Sequence, residues 1–273
     1  RDLLLDKKPK DFDLATNALP QTVQDLLSPY YRTLETGKNF GIIIVLTQDG
    51  EYEIATFRKD IGAGRRPDSV EFTTIDNDVK RRDLTINALF YDIDKGEVVD
   101  LVGGVDDLRN NIVRTVGKAE ERFEEDPLRI MRFFRFSAQA GKLDEKADES
   151  LRKSVPLLGN VSKERIRDEF LKGIKSAKSV VFFLSIFKKY NAFRFLFGDL
   201  IIRDDFIEER DYNVLIAYLL QDNPVDKTKM VLNDGKSKHP FVLDIEQDTS
   251  IIRRLNNQKI KADFSYEKCK YIY

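Results

Sequence analysis

The residues most able to do chemistry in this 273-residue chain fall in three clusters. The first is Asp11-Phe12-Asp13. Residues two apart in a strand point to the same side, so these carboxylates would converge on one spot, and a divalent cation stabilises anions held that close. Glu53, on a neighbouring strand facing the same way, would add a third carboxylate. Plainer explanations stand beside these. Among 47 Asp and Glu, an Asp-x-Asp triplet arises by chance in a surface turn, and Glu53 alone reads as an exposed strand residue.

The second cluster is Arg81-Arg82-Asp83-Leu84-Thr85-Ile86-Asn87-Ala88. Its pattern predicts a helix over residues 83–90, with Asp83 and Asn87 four apart on one face and the two arginines at the N-terminal entry, where backbone N–H groups favour anions. A triphosphate and a ribose would both fit there, and a capped surface helix with basic flanks explains the same residues. The third cluster runs Glu125-Asp126-Pro127-Leu128-Arg129 and on through Arg132 and Arg135. Its arginines recur every three residues beside an apolar face, without interleaved acids, so an anionic or planar partner would suit them. Asp126 has a competing job as N-cap, with Pro127 at the first helical position.

These clusters need a sheet and helices to position them. An apolar run over 40–46 and an alternating stretch over 51–57, joined by Gln48-Asp49-Gly50, predict a β-hairpin. A Gly/Pro-rich loop with arginines follows over 61–68, then a short strand over 70–74 and another over 98–102 that closes on Gly103-Gly104. Beyond these the periods become helical: one helix from Asp126, then others over 145–153, 163–175 and 179–190. The expected class is α+β, a small head with a mixed sheet followed by all-helical domains. Residues 222–239 read as loop, and the last thirty carry no clear pattern.

Composition narrows the function. Acidic and basic residues nearly cancel, to a formal net charge of -1, so global charge implies no polyanion partner. Residues 151–200 hold eleven Lys and Arg against four Asp and Glu, however, a local surplus that suits a phosphate backbone or a solvated basic face equally. A single cysteine, Cys269, excludes an internal disulfide, and with one histidine, His239, there is no Cys/His zinc cluster. No apolar run approaches the roughly 20 residues of a membrane span. A soluble, cytoplasmic chain is expected, with no membrane and no evident protein partner.

In this order the clusters resemble the class II tRNA nucleotidyltransferase and bacterial poly(A) polymerase family, whose catalytic head is similar to that of DNA polymerase beta. The likeness runs from residue 1 to about residue 175. Its motifs stand here as Arg1-Asp2-Leu3-Leu4 leading to Asp11-Phe12-Asp13, Arg81-Arg82-Asp83 through Asn87-Ala88, Asp100-Leu101-Val102-Gly103-Gly104 through Asp107-Leu108, Glu125-Asp126 through Arg129, and Glu164-Arg165 through Glu169. In the family a Gly-Gly turn precedes the Arg-Asp, and this sequence starts after that point. The loop between Arg58 and Arg65 is also shorter than the family's, and a true shortening there favours an enzyme that stops after two cytidines.

The resemblance implies a small polymerase beta-like head over residues 1–110, a helical neck with base recognition over 111–178 and a helical RNA-binding body over 179–273. It implies Mg²⁺, two ions, on Asp11 and Asp13 with Glu53 beside them; ribose on Asp83 and Asn87; base reading by Asp126 and Arg129, with Arg132 next along the stripe; and a hinge at Gly103-Gly104. Arg1 and Arg82 would offset the triphosphate. Lys172, Lys175 and Lys178 would meet the acceptor stem of tRNA. The implied activity adds CMP and AMP from CTP and ATP to the 3′ end of tRNA. Poly(A) polymerase or CC addition is the alternative within the family, and a catalytically silent RNA-binding module is the alternative outside it.

Overall fold

The computed structural model describes residues 1–9, 12–62, 68–224 and 227–228. The chain divides into two units, Arg1–Asn110 with Arg114–Asp126, and Asn111–Val113 with the chain from Pro127 onward.

The first unit is built on strands β1 (Leu14–Thr16), β2 (Arg32–Gly37), β3 (Ile42–Leu46) and β4 (Glu51–Thr56), with helix α1 (Pro20–Leu27) between the first two. They form one mixed sheet in the order β1-β4-β3-β2, with β1 parallel to β4 and the remaining pairs antiparallel. Alternation decides which face is covered: Ile43 and Val45 are buried against Val23 of α1, with Ala18, Leu27 and Ile54 packed around them. The predicted hairpin is present. Its turn is closed by the Thr47 N–H donating to the Gly50 carbonyl at 2.9 Å, and Gly50 takes a φ of +146° that a side chain would resist.

Further along are the antiparallel pair β5 (Arg58–Ile61) and β6 (Ser69–Phe72), helix α2 (Ile75–Arg81), the antiparallel pair β7 (Leu89–Asp92) and β8 (Glu97–Asp100), and helices α3 (Gly104–Arg109) and α4 (Ala119–Glu125). Here the expected helix over 83–90 is corrected. Arg81 ends α2 and Arg82 caps its C-terminus, so the arginines sit at a helix end, and residues 85–87 make a single 3₁₀ turn before β7. The reason is tertiary. The Thr85 N–H donates to the Arg114 carbonyl at 2.9 Å and the Val116 N–H to the Asp83 carbonyl at 3.1 Å, so this backbone pairs with a distant segment rather than with itself. Leu84, Thr85 and Ile86 are buried in succession, a demand no one-sided helix meets.

The second unit comprises α5 (Leu128–Ala140), α6 (Asp148–Ser154), α7 (Lys163–Ser176), α8 (Val180–Lys189), α9 (Arg194–Phe197) and α10 (Tyr212–Leu220). A second correction applies at its start: α5 begins at Leu128 with Pro127 at the cap position, while Asp126 is the C-cap of α4. That short helix carries one fully buried apolar anchor, Phe123, too little to display a period. Phe170 sits at the hub of the helical core, with ring centroids 5.0 Å from Phe187, 5.6 Å from Phe183 and 6.2 Å from Phe197. Gly173 permits the approach of α8, because a Cβ there would lie 2.1 Å from the Phe183 ring. Among the described residues no helix is long and apolar enough to cross a membrane.

Candidate active site

Asp13 stands immediately before β1, whose parallel register matches Leu14 with Ile54. Asp13 and Glu53 are the residues just before this matched pair. Ile54 belongs to the face that α1 covers, so Glu53 looks away from the core, and Asp13 and Glu53 are both exposed. Asp11 lies outside the described residues. Among the described residues no three acidic, His or Cys groups assemble into a metal cluster. Carboxylates such as Asp13 and Glu53 are nonetheless the hard oxygen donors a divalent cation takes.

The second set gathers around Asn87. Arg1 donates from Nη1 to the Asn87 Oδ1 at 3.0 Å, and Arg82 donates from Nη1 to the Asn87 carbonyl at 3.3 Å. The Arg82 guanidinium lies over the Phe90 ring, 4.3 Å from its centroid. On the other side of Asn87, the amide Nδ2 is buried without a hydrogen-bond partner. An orphaned donor costs about 1–3 kcal/mol, which a ligand oxygen would recover. Asp83 precedes the 3₁₀ turn, and its Oδ1 accepts from the Leu84 N–H at 2.8 Å.

Phe57 joins the two sets. It follows β4 directly, donates its N–H to the Thr16 carbonyl at 2.9 Å, and meets Phe90 edge-on at 5.7 Å. The residue just past the strand that carries Glu53 therefore touches the ring over which Arg82 lies, Phe90 of β7, which belongs to a separate two-stranded sheet.

Gly103 and Gly104 lie in a tight turn. Gly103 has a φ of +76°, and a Cβ on Gly104 would fall 2.2 Å from the Thr85 carbonyl oxygen. Asp100 accepts from the N–H groups of Val102, Gly104 and Val105 at 2.9–3.1 Å. Burial works against its charge, but the backbone donors Val105, Gly104, Val102 and Gly103 outweigh it and hold the carboxyl below its ordinary value. The buried Asp107 accepts from the Thr85 hydroxyl at 2.6 Å and from the Arg114 guanidinium at 2.6 and 3.0 Å. The turn bearing Asn87 is thus tied to the glycine pair.

In the helical unit, Arg129 falls in the first turn of α5, Arg132 one turn on, and both are half-buried. Arg132 approaches the Phe136 ring at 5.9 Å. The next arginine of the stripe is committed elsewhere: Arg135 donates from Nε to the buried Glu169 of α7 at 2.8 Å. Burial disfavours the Glu169 charge, yet Arg135 and then Lys172 overcome it and lower its pKa. Lys172 pairs with that same carboxylate at 3.2 Å, and Lys178 donates to the Ala140 carbonyl at 2.8 Å. Lys175 is exposed on α7, and neither it nor Lys178 has a carboxylate within ion-pair distance among the described residues. Much of the basic surplus of 151–200 is neutralised locally, Arg152 and Lys189 by Asp148, Lys153 by Glu149 and Lys188 by Asp204.

Sequence reasoning passed over Asp78, which is buried on α2 and accepts from Arg81 and Arg82. Its spacing of three and four residues before those arginines is a helical signal, one segment ahead of the helix that the pattern over 83–90 suggests.

An acid-bearing mixed sheet beside an arginine platform, followed by helices, defines a nucleotidyltransferase-type head with a helical extension. The model described as the poly A polymerase head domain matches residues 1–114, and that of the probable RNA and SrmB-binding site of polymerase A matches residues 142–200. Both matched segments are parts of polymerase A-type enzymes, and relatives that match the chain are named CCA-adding enzymes. That of Lactobacillus helveticus is 46% identical over 176 residues, covering 63% of this chain and 43% of the relative. That of Streptococcus uberis is 36% identical over 93% of this chain and 65% of its own length. Among solved structures, the Bacillus stearothermophilus CCA-adding enzyme in complex with CTP superposes with a TM-score of 0.75 at 27% identity, over 98% of this chain and 66% of that one. The Thermotoga maritima CCA-adding enzyme complexed with tRNA-CCA shares the fold, with a TM-score of 0.70 at 20% identity over 90% of this chain and 62% of that one. The chain spans less than half the length of the curated relatives it matches first.

Proposed function

We propose that the chain adds CMP and AMP from CTP and ATP to the 3′ end of tRNA without a template, in the cytoplasm. The observation that carries this reading is the buried, orphaned Asn87 amide beside the Arg82 guanidinium on Phe90, which is touched by Phe57 just past the strand of Glu53. The similarity to a CCA-adding enzyme in complex with CTP supports the choice of nucleotide.

Asp11, Asp13 and Glu53 would hold Mg²⁺, two ions, which would supply neutralisation of charge on the oxygens of phosphoryl transfer. Arg1 and Arg82 offset the triphosphate, and Asp83 and Asn87 hold the ribose. Asp126 and Arg129 choose the base, with Arg132 beside them. Cytosine and adenine each present an amino donor next to a ring-nitrogen acceptor, which suits a carboxylate beside a guanidinium. Uracil and guanine present the reverse, leaving like groups opposed at about 1–3 kcal/mol each. Gly103 and Gly104 serve as the hinge. Residues 111–178 form the neck and 179–273 the body, with Lys172, Lys175 and Lys178 toward the acceptor stem.

The deciding assay supplies Mg²⁺ and tRNA lacking its 3′ CCA, with CTP, ATP or both, and reads product lengths. CCA addition is the expected outcome. A product ending at CC, a long A tail, or no extension would replace this reading by CC addition, poly(A) synthesis or a silent RNA-binding module respectively.

A further inference from the structure

Asp78 is a carboxylate with almost no access to solvent, set one turn before the end of α2. Its Oδ1 accepts from Arg81, at 2.9 Å from Nε and 2.7 Å from Nη2, and from the Arg58 backbone N–H at 3.2 Å. Its Oδ2 accepts from the Arg82 Nε at 3.2 Å. A buried anion is tolerated only where its lone pairs are met, and here two guanidiniums and one amide meet them.

The consequence falls on Arg82. Nε is held by Asp78, Nη1 by the Asn87 carbonyl, and the flat face by Phe90. Its Nη2 donates to no protein acceptor among the described residues. The guanidinium is thereby fixed in orientation with a pair of N–H groups unspent, the state in which an arginine binds a phosphate with the least loss of side-chain freedom. The neighbouring cations, Arg81 and Arg58, would repel it without the anion between them. Burial first, and then Arg81, depress the Arg58 guanidinium, with Asp60 and Asp78 opposing them.

We propose that Asp78 is a positioning residue for nucleotide binding, holding Arg82 so that its outer edge grips the triphosphate. This rests on the nucleotide-transfer reading above. Asp78 itself touches no substrate.

The test is a double-mutant cycle in the full chain with Asp78→Asn, Arg82→Ala and the pair together, read as KM for CTP and kcat on tRNA lacking CCA, and separately as CTP affinity by calorimetry. Asp78→Asn is expected to raise KM and Kd about tenfold with kcat changed less than about twofold, and to add less than about twofold once Arg82 is gone. Effects that multiply in full across the two backgrounds, or an unchanged KM in a folded variant, would overturn the proposal. Should Asp78→Asn not fold, Asp78→Glu, which keeps the charge, carries the same cycle. If neither folds, Asp78 is a determinant of the fold alone and the proposal fails. A wild type that binds CTP without extending RNA refutes the proposed function and leaves the affinity cycle to decide on Asp78; a wild type that does neither refutes both.

Discussion

The two units of the chain are held together by different means. In the helical unit the core is a continuous aromatic mass, with Phe134, Phe170, Phe183, Phe187 and Phe197 fully buried around one another. In the head, the apolar residues divide into small aliphatic groups, Val23, Ile43 and Val45 in one and Val79, Ala88 and Val116 in another. What the head lacks in apolar mass it replaces with buried or half-buried carboxylates, Asp78, Asp100 and Asp107, each accepting several donors. Apolar packing makes a scaffold that does not depend on charge, whereas a polar network fixes the direction of individual side chains. Among the described residues the helical unit has one such buried carboxylate, Glu169 between Arg135 and Lys172, and the head relies on them more heavily.

That contrast can be broken at several points. The largest expected effect is in the head: Asp13→Ala should lower nucleotide incorporation by roughly 10³-fold or more, the loss of several kcal/mol of charge stabilisation, while thermal unfolding stays unchanged. Turnover near wild type would remove Asp13 from the chemistry. In the helical unit, Phe170→Ala should cost about 3–5 kcal/mol in urea unfolding, because it empties the hub of five rings and leaves a cavity. A cost under about 1 kcal/mol would mean that the aromatic mass is not the source of stability.

Asp126 and Arg129 should separate selectivity from stability. Asp126→Ala with Arg129→Ala is expected to relax the preference for CTP and ATP over UTP and GTP by about 1–3 kcal/mol, in competition assays, without lowering the unfolding midpoint. Unchanged selectivity would rule the pair out. Asp100 offers a test by pH. Its folded carboxyl is depressed, so its stabilisation is complete above the ordinary aspartate range and drains away as pH falls through the folded value. The stability gap between wild type and Asp100→Asn, about 1–2 kcal/mol at neutral pH, should therefore narrow below about pH 4. A gap independent of pH would assign Asp100 a merely steric role. The smallest effect is expected on the helical surface, where Lys175→Ala with Lys178→Ala should weaken tRNA binding a few-fold and reduce the salt slope by about one unit per phosphate contact. An unchanged slope would move the RNA elsewhere.

How much of this was legible depends on the range of the forces involved. The hairpin of β3 and β4, the division into a mixed head and a helical remainder, and the helices α7 and α8 could be read from the chain because alternation, period and turn residues are local signals. The five motifs were legible in the same way, as short runs of residue types. What the chain alone determined is thus which residues are available and the class of fold that carries them.

Only the tertiary structure decided how they are used. Residues 83–87 carry a helical pattern, yet their backbone bonds to residues 114–116, about thirty positions on in sequence but adjacent in space. Arg135 looked like part of a binding stripe until Glu169 from another helix took its charge. Asp78 looked like one acid among many, and burial beside two arginines made it a keystone. A hydrogen bond or ion pair is set by distance in space and by the removal of water, and neither quantity is written in the order of residues.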